Sequence, residues 1–351
     1  MLERTVSHEP EGHSVKHIAT APLVAIGLAC TLVLAGCSEV DAGGDPLQVV
    51  ADPVAATAAV SPATTVEPEG TVLPAEEVAA LAVEPASRTL AVAVEQPPSV
   101  VLHDLDAPGA KPRSVALAGA VENLSVQAGR FVAAVPETGS VVWIEPSGRK
   151  VRTVDVAGAP VSSVTQDGRS LVAVRDRKAI EVLDGETVTK TISGELYSAD
   201  QLVTAGGHTV VLDRLRTALF EVDVEAGTVD VGLRAGQGAT NAVADPFGRV
   251  LVTDTRAGAL LAFSTDPLLL RQRYPVPGGV YGIASDPERQ LAWVTLTERN
   301  EVVGFDLRGG EPEEKYRFPT VRQPNSVAVD DRTGQVVVGS AAGEGIQVIT
   351  P

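Results

Sequence analysis

Asparagine, tyrosine, arginine and acidic residues recur at equivalent points of this chain and are its main candidates for chemistry. One set stands at the start of short apolar runs: Glu122-Asn123, Ser162, Thr240-Asn241, Tyr281-Gly282 and Asn325-Ser326. A second set closes the next run along: Arg175-Asp176, Asp213-Arg214, Asp254 with Arg256, Thr297-Glu298 and Ser340. Brought to one rim, such side chains would bind a polar ligand, or through their oxygens a hard cation such as calcium. Asp at the corner after a strand has a competing use, because its carboxylate takes nearby backbone N–H groups and shapes the turn. That reading applies to Asp213 and Asp254. Groups for covalent chemistry are scarce. Only His103 and His208 lie in the body of the chain, and both cysteines, Cys30 and Cys37, lie near its start. The body therefore has neither a disulfide framework nor a thiolate zinc site. No nucleophile elbow, phosphate loop or His-rich metal motif is present, and Gly236-Gln237-Gly238 is an isolated GxG in a turn.

The elements that would gather these residues are repeats. Thr240 to Phe263 reads as a short run, an Asp-Pro-Phe-Gly turn, a second run, a corner at Asp254 and a third run. Runs of small and β-branched residues bounded by Asp-Pro and Gly indicate strands joined by tight turns. Copies begin near Val78, Glu122, Ser162, Leu196, Thr240, Tyr281 and Asn325; the fourth is degenerate at its start. A spacing of about forty residues suits one four-stranded blade. The sequence thus predicts an all-β, seven-bladed β-propeller over residues 71–351. The last copy ends at Ile349 with no residues left for an outer strand, so Thr71 to Leu73 is expected to complete that blade and close the ring. Both sets of polar residues then fall at one mouth of the central channel. The candidate ligand-binding residues are Glu122, Asn123, Asn241, Tyr281, Asn325, Asp213, Arg214, Asp254 and Arg256.

Residues are 44% hydrophobic but only 3% aromatic, so Ala, Val, Leu and Ile must fill the core. A net charge of −17 repels a phosphate backbone and argues against nucleic acid as a partner.

Ala21 to Gly36 is a continuous run of apolar and small residues after Lys16, short for a membrane span and suited to the apolar region of a signal peptide. It ends in Leu34-Ala35-Gly36-Cys37, which resembles the lipobox of bacterial lipoproteins. The resemblance implies cleavage before Cys37 and diacylglycerol on its thiol, giving a signal peptide over 1–36 and a membrane-anchored, extracytoplasmic protein. Glu3, Glu9 and Glu11 are unusual in such a leader, and translation from Val15 would remove them. Residues 37–70, rich in Ala, Pro, Thr, Asp and Glu, are expected to be a flexible tether.

Two stretches go beyond blade patterning: Leu233 to Thr240 with ADPFGRVLVTDTR after it, and Lys315 to Ser326. With Asp266 to Pro275 and Leu291 to Val294, they resemble LppL-type envelope lipoproteins of high-GC Gram-positive bacteria, most closely from Val210 to Ile349. The blades also resemble NHL- and YVTN-type propellers, which mostly act as binding platforms. These resemblances imply a binding or scaffold module at the cell envelope, needing no cofactor and meeting an envelope protein or a small polar ligand. The alternative is a propeller hydrolase of the lactonase type, holding a divalent cation in the channel through residues such as Glu122, Asn241 and Asn325.

Overall fold

The computed structural model describes Leu47 and residues 51–230 and 232–351. The signal peptide, Cys37 and the first part of the expected tether lie outside the described residues. Seven antiparallel sheets follow one another along the chain. Blade 1 spans 78–116, blade 2 123–155, blade 3 160–193, blade 4 201–229 with a further short strand Leu233–Arg234, blade 5 239–275 and blade 6 280–319. Blade 7 combines residues 324–349 with the strand Thr71–Leu73. The expected seven-bladed all-β propeller is what the chain forms.

Within a blade, burial follows the position of each strand. Second strands such as Leu291–Leu296 are buried along their whole length, because they are flanked by strands on both edges and by blades on both faces. That is why they read as unbroken apolar runs rather than as alternating ones. Outer strands such as Thr187–Ser193 meet solvent and are largely polar. The Asp-Pro turn of blade 5 has a clear physical cause. Asp245 Oδ1 accepts from the backbone N–H groups of Phe247 and Arg249, each at 2.9 Å, while Oδ2 takes Arg249 Nε at 2.6 Å.

The core is not one mass but seven apolar seams, one between each pair of neighbouring blades. Ile180, Val182 and Leu171 of blade 3, for example, meet Val211, Phe220 and Leu202 of blade 4. At the seam between blades 6 and 7, Trp293 stacks on Tyr316 with ring centroids 5.5 Å apart. Small aliphatic side chains suffice elsewhere because every seam is only one side-chain layer thick on each side.

Ring closure takes the expected form. Thr71 pairs with Val348, Val72 with Gln347 and Leu73 with Ile346, antiparallel. Gly70 enters this pairing with φ +82°, and a Cβ there would strike the Val348 carbonyl oxygen. The fully buried Gln347 ties the junction further, its Nε2 donating to the carbonyls of Glu69 at 2.6 Å and Pro319 at 2.9 Å.

Residues 51–70, expected to be free tether, instead form a strap across blades 5, 6 and 7. Arg256 Nη2 donates to Val54 O at 2.5 Å. Ser61 Oγ donates to Thr297 O at 2.5 Å, and the Ser61 N–H to Gln323 Oε1 at 2.9 Å. Asn300 Nδ2 donates to Pro62 O at 3.0 Å. The correction has a simple origin. The strap has no regular structure of its own, so its backbone groups are satisfied by blade side chains, and nothing in its composition reveals that.

Candidate functional site: the mouth of the central channel

Five inner strands begin with the same irregularity. Register shifts between Val78 and Ala80, Pro160 and Ser162, Ala239 and Asn241, Val280 and Ile283, and Pro324 and Ser326. A bulge re-aims the side chain beside it and ends regular pairing. Here it falls where the inner strands meet the channel. In blade 6 it requires a glycine, since a Cβ on Gly282 would stand 2.9 Å from the Asn325 carbonyl oxygen of blade 7.

Around this rim lies a cavity of about 540 Å³, lined among others by Glu122, Asn123, Arg214, Asn241, Tyr281 and Asn325. Six of the nine expected residues are thus brought together. Asp200 and Gln201 of blade 4 join them. They occupy the position equivalent to Glu122-Asn123, and the degenerate start of the fourth repeat hides them in the sequence.

Three expected residues lie elsewhere. Asp213 and Asp254 are fully buried and turned away from the channel. Asp213 accepts from the backbone N–H groups of Tyr197 at 2.6 Å and Arg216 at 2.8 Å. Burial raises its pKa, and those bonds offset the effect only in part. Asp254 accepts from the N–H groups of Gln237 and Gly238 at 3.0 and 2.9 Å. A side chain on Gly236 would collide with its Oδ2. Both carboxylates shape corners, as their position after a strand allows. Arg256 faces outward beneath the strap.

The rim residues form a hydrogen-bonded arc that crosses blade boundaries. Arg175 of blade 3 grips Glu122 of blade 2 with both terminal guanidinium nitrogens, Nη1 at 2.9 Å. Its Nε donates to Asp200 Oδ1 of blade 4 at 2.7 Å. Burial pulls the Arg175 pKa down, yet the Glu122 and Asp200 carboxylates outweigh it and leave the net shift upward. Asp200 Oδ2 accepts the Arg214 N–H at 2.8 Å. Beyond Arg214 the arc becomes neutral. Arg214 Nη2 reaches Asn241 Oδ1 at 3.4 Å, and Asn241 Nδ2 donates to the Tyr281 carbonyl at 3.1 Å. Gln201 exchanges two bonds with the Ala242 backbone of blade 5, at 2.7 and 2.9 Å. Asn325 Oδ1 accepts from Gln323 Nε2 at 2.9 Å, and the same amide nitrogen donates to Ala59 O of the strap.

Chemically this is a fixed set of donors and acceptors. No group of three or more His, Cys, Asp or Glu suited to a metal occurs among the described residues. The Glu122 carboxylate is already engaged by Arg175.

No known family's sequence profile and no curated sequence matches the chain. Solved structures match it by fold. A chain of hydrazine synthase from Kuenenia stuttgartiensis aligns with a TM-score of 0.68 at 16% identity, covering 82% of this chain and 98% of that one. A catalytically inactive virginiamycin B lyase from Staphylococcus aureus with quinupristin aligns at 0.68 and 11% identity, covering 81% and 99%. A chain of the mitotic checkpoint complex aligns at 0.69 and 14% identity, covering 85% and 98%. At such identities the likeness establishes the fold alone. The protein is a seven-bladed β-propeller.

Proposed function

We propose that this chain is a lipid-anchored, extracytoplasmic binding module that presents the channel mouth to a small polar ligand or to a polar segment of an envelope protein. The observation that carries the reading is the unused hydrogen-bonding capacity of a rigid rim. Among the described residues the side chains of Asn123 and Tyr281 make no hydrogen bond to protein, and the Asn325 amide nitrogen donates none. Their neighbours are held in place across blade boundaries. Concave sites with a few convergent polar groups on a preformed frame are what ligands use.

The anchor follows from Leu34 to Cys37. One acyl chain attaches a protein only marginally, and two or three make attachment lasting, at about 0.8 kcal/mol per buried CH₂. Cys37→Ala is expected to abolish lipid labelling and cleavage before residue 37; normal labelling and processing of that variant would refute the address. A lyase reading, suggested by the fold relatives, gains no support from the mouth, whose described lining contains no histidine.

Binding is tested by crosslinking in intact cells, with Asn241→Ala and Asn325→Ala as controls that should lose the captured partner. The hydrolase alternative is tested by thermal shift with calcium, magnesium, zinc and manganese, with and without chelator. A resident metal would stabilise the protein by about 2.7 kcal/mol at a hundredfold excess over Kd.

A further inference from the structure

Next to the mouth, under the start of the strap, lies a second cavity of about 420 Å³ whose polar lining is dominated by four arginines, Arg214, Arg216, Arg234 and Arg256. Their concentration stands out in a chain with net charge −17. Arg88, Arg169, Arg175, Arg177, Arg249 and Arg317 each pair with at least one carboxylate. Among the described residues no carboxylate pairs with Arg214, Arg234 or Arg256. Arg234 Nη2 donates to Leu47 O, and Arg256 donates to Val54 O at 2.5 Å and Gln237 O at 3.5 Å. Arg214 Nε is buried without any partner.

Arg216 is fixed as a wall of the cavity. It donates to the Glu195 carbonyl, and its guanidinium lies 5.0 Å from the Tyr197 ring centroid and 5.1 Å from that of Phe220. The buried carboxylates Asp213 and Asp254 of these loops are spent on backbone N–H groups.

We propose that this cavity is an oxyanion site, taking a carboxylate or phosphate group between Arg214, Arg234 and Arg256. Guanidinium groups present paired N–H donors that match the two oxygens of either anion. The Leu47 and Val54 carbonyls each engage a single nitrogen and leave the remaining donors of Arg234 and Arg256 for the anion. Arg214 lines both this cavity and the mouth. A ligand carrying an acidic group can therefore place that group here and its neutral polar part against Asn241. The site stands independently of the mouth reading, since Arg234 and Arg256 do not line the mouth.

The test is titration calorimetry of the full chain in detergent with inorganic phosphate and, separately, with succinate, each against sodium chloride at matched ionic strength. Saturable binding of at least one probe is expected, and the preferred probe assigns the anion as phosphate or carboxylate. Arg234→Gln and Arg256→Gln should each weaken it about tenfold, which is about 1.4 kcal/mol. Arg308→Gln, at a residue lining neither cavity, should leave it unchanged. Arg256→Lys, which keeps the charge but loses the fork, should recover part of the affinity. No saturable response beyond that of chloride would overturn the proposal. So would unchanged binding in both glutamine variants. If neither anion binds and those variants instead lower the melting temperature, the arginines are ties for the strap and nothing more.

Discussion

The two halves of the channel rim are built from different chemistry. From blade 2 to blade 4 the rim is ionic: Glu122, Arg175 and Asp200 lock three blades together, and Asp200 also holds the Arg214 backbone. From blade 5 to blade 7 it is neutral: Asn241, the Tyr281 carbonyl and Asn325 are joined by uncharged hydrogen bonds, and the strap covers that side. The charges of Glu122, Arg175 and Asp200 are spent within the protein, while of the free valences at Asn123, Tyr281 and Asn325 two of the three lie in the neutral half. Rigidity and receptivity are thus divided around one ring, which is how a mouth can be preformed and still bind.

The strap is the first place to test that division. Chains beginning at Ala51, Pro68 and Val78 separate its contribution from that of the closing strand. Losing Thr71–Leu73 removes the pairing with Val348, Gln347 and Ile346 and exposes an unpaired edge. At about 1 kcal/mol per hydrogen bond this is a loss of about 3 kcal/mol or more. The chain from Val78 should melt lowest and associate. The chain from Pro68 should fall between the other two, because it keeps the closing strand but frees Gln323 from Ser61 and Ala59. Equal melting of the Ala51 and Pro68 chains would mean that the strap supports nothing on the neutral side.

Asp200 tests the ionic half. It is buried, and Asp200→Ala leaves Arg175 Nε and the Arg214 N–H without their acceptor. Asp200 is buried but Arg175 stays about a third exposed, so losing this charged acceptor should cost about 2 kcal/mol. Denaturant titration should show that loss, with Asp200→Asn recovering part of it. A loss under about 1 kcal/mol would place the pair among ordinary surface contacts and dissolve the contrast.

Much of this frame was legible in the sequence. The Asp-Pro turn of blade 5 and the apolar second strands repeat with a fixed phase, and the missing outer strand of blade 7 pointed to Thr71–Leu73. Rim positions were legible as well, because repeats place equivalent residues at equivalent heights. Orientation was not. Asp213 and Asp254 share a rim position with Arg214 yet face the backbone of their own corners, a choice made by Tyr197, Ser198, Gln237 and Gly238 arriving from elsewhere in the chain. Asp200 was hidden because blade 4 lacks the apolar start that marks the other repeats. The strap was invisible because its partners lie some 200 residues or more away and contact mostly its backbone, for which no side-chain pattern is selected.

Asn241→Ala and Asn325→Ala probe the neutral half. Asn325→Ala removes one hydrogen bond and Asn241→Ala one good and one long bond, so each should cost about 1 kcal/mol while weakening ligand capture. Stability losses several times larger would mark these residues as structural ties, and the neutral half would then have no more bonding capacity to offer a ligand than the ionic one.

The smallest effect is expected at Glu122. Its pair with Arg175 is bidentate, yet both side chains remain about a third exposed, 33% and 35%. Water and salt therefore screen an attraction that looks strong in geometry alone. Glu122→Gln keeps the shape, leaves Arg175 its bond to Asp200, and should cost less than about 1 kcal/mol. The cost should also shrink as sodium chloride is raised, whereas that of Asp200→Ala should persist, since Asp200 is buried and its bond to the Arg214 N–H does not depend on a second charge. Urea titrations of both variants at low and high salt make the comparison, urea being uncharged. A salt-independent Glu122→Gln cost as large as that of Asp200→Ala would show that the ionic half acts as one unit whose members cannot be ranked by exposure.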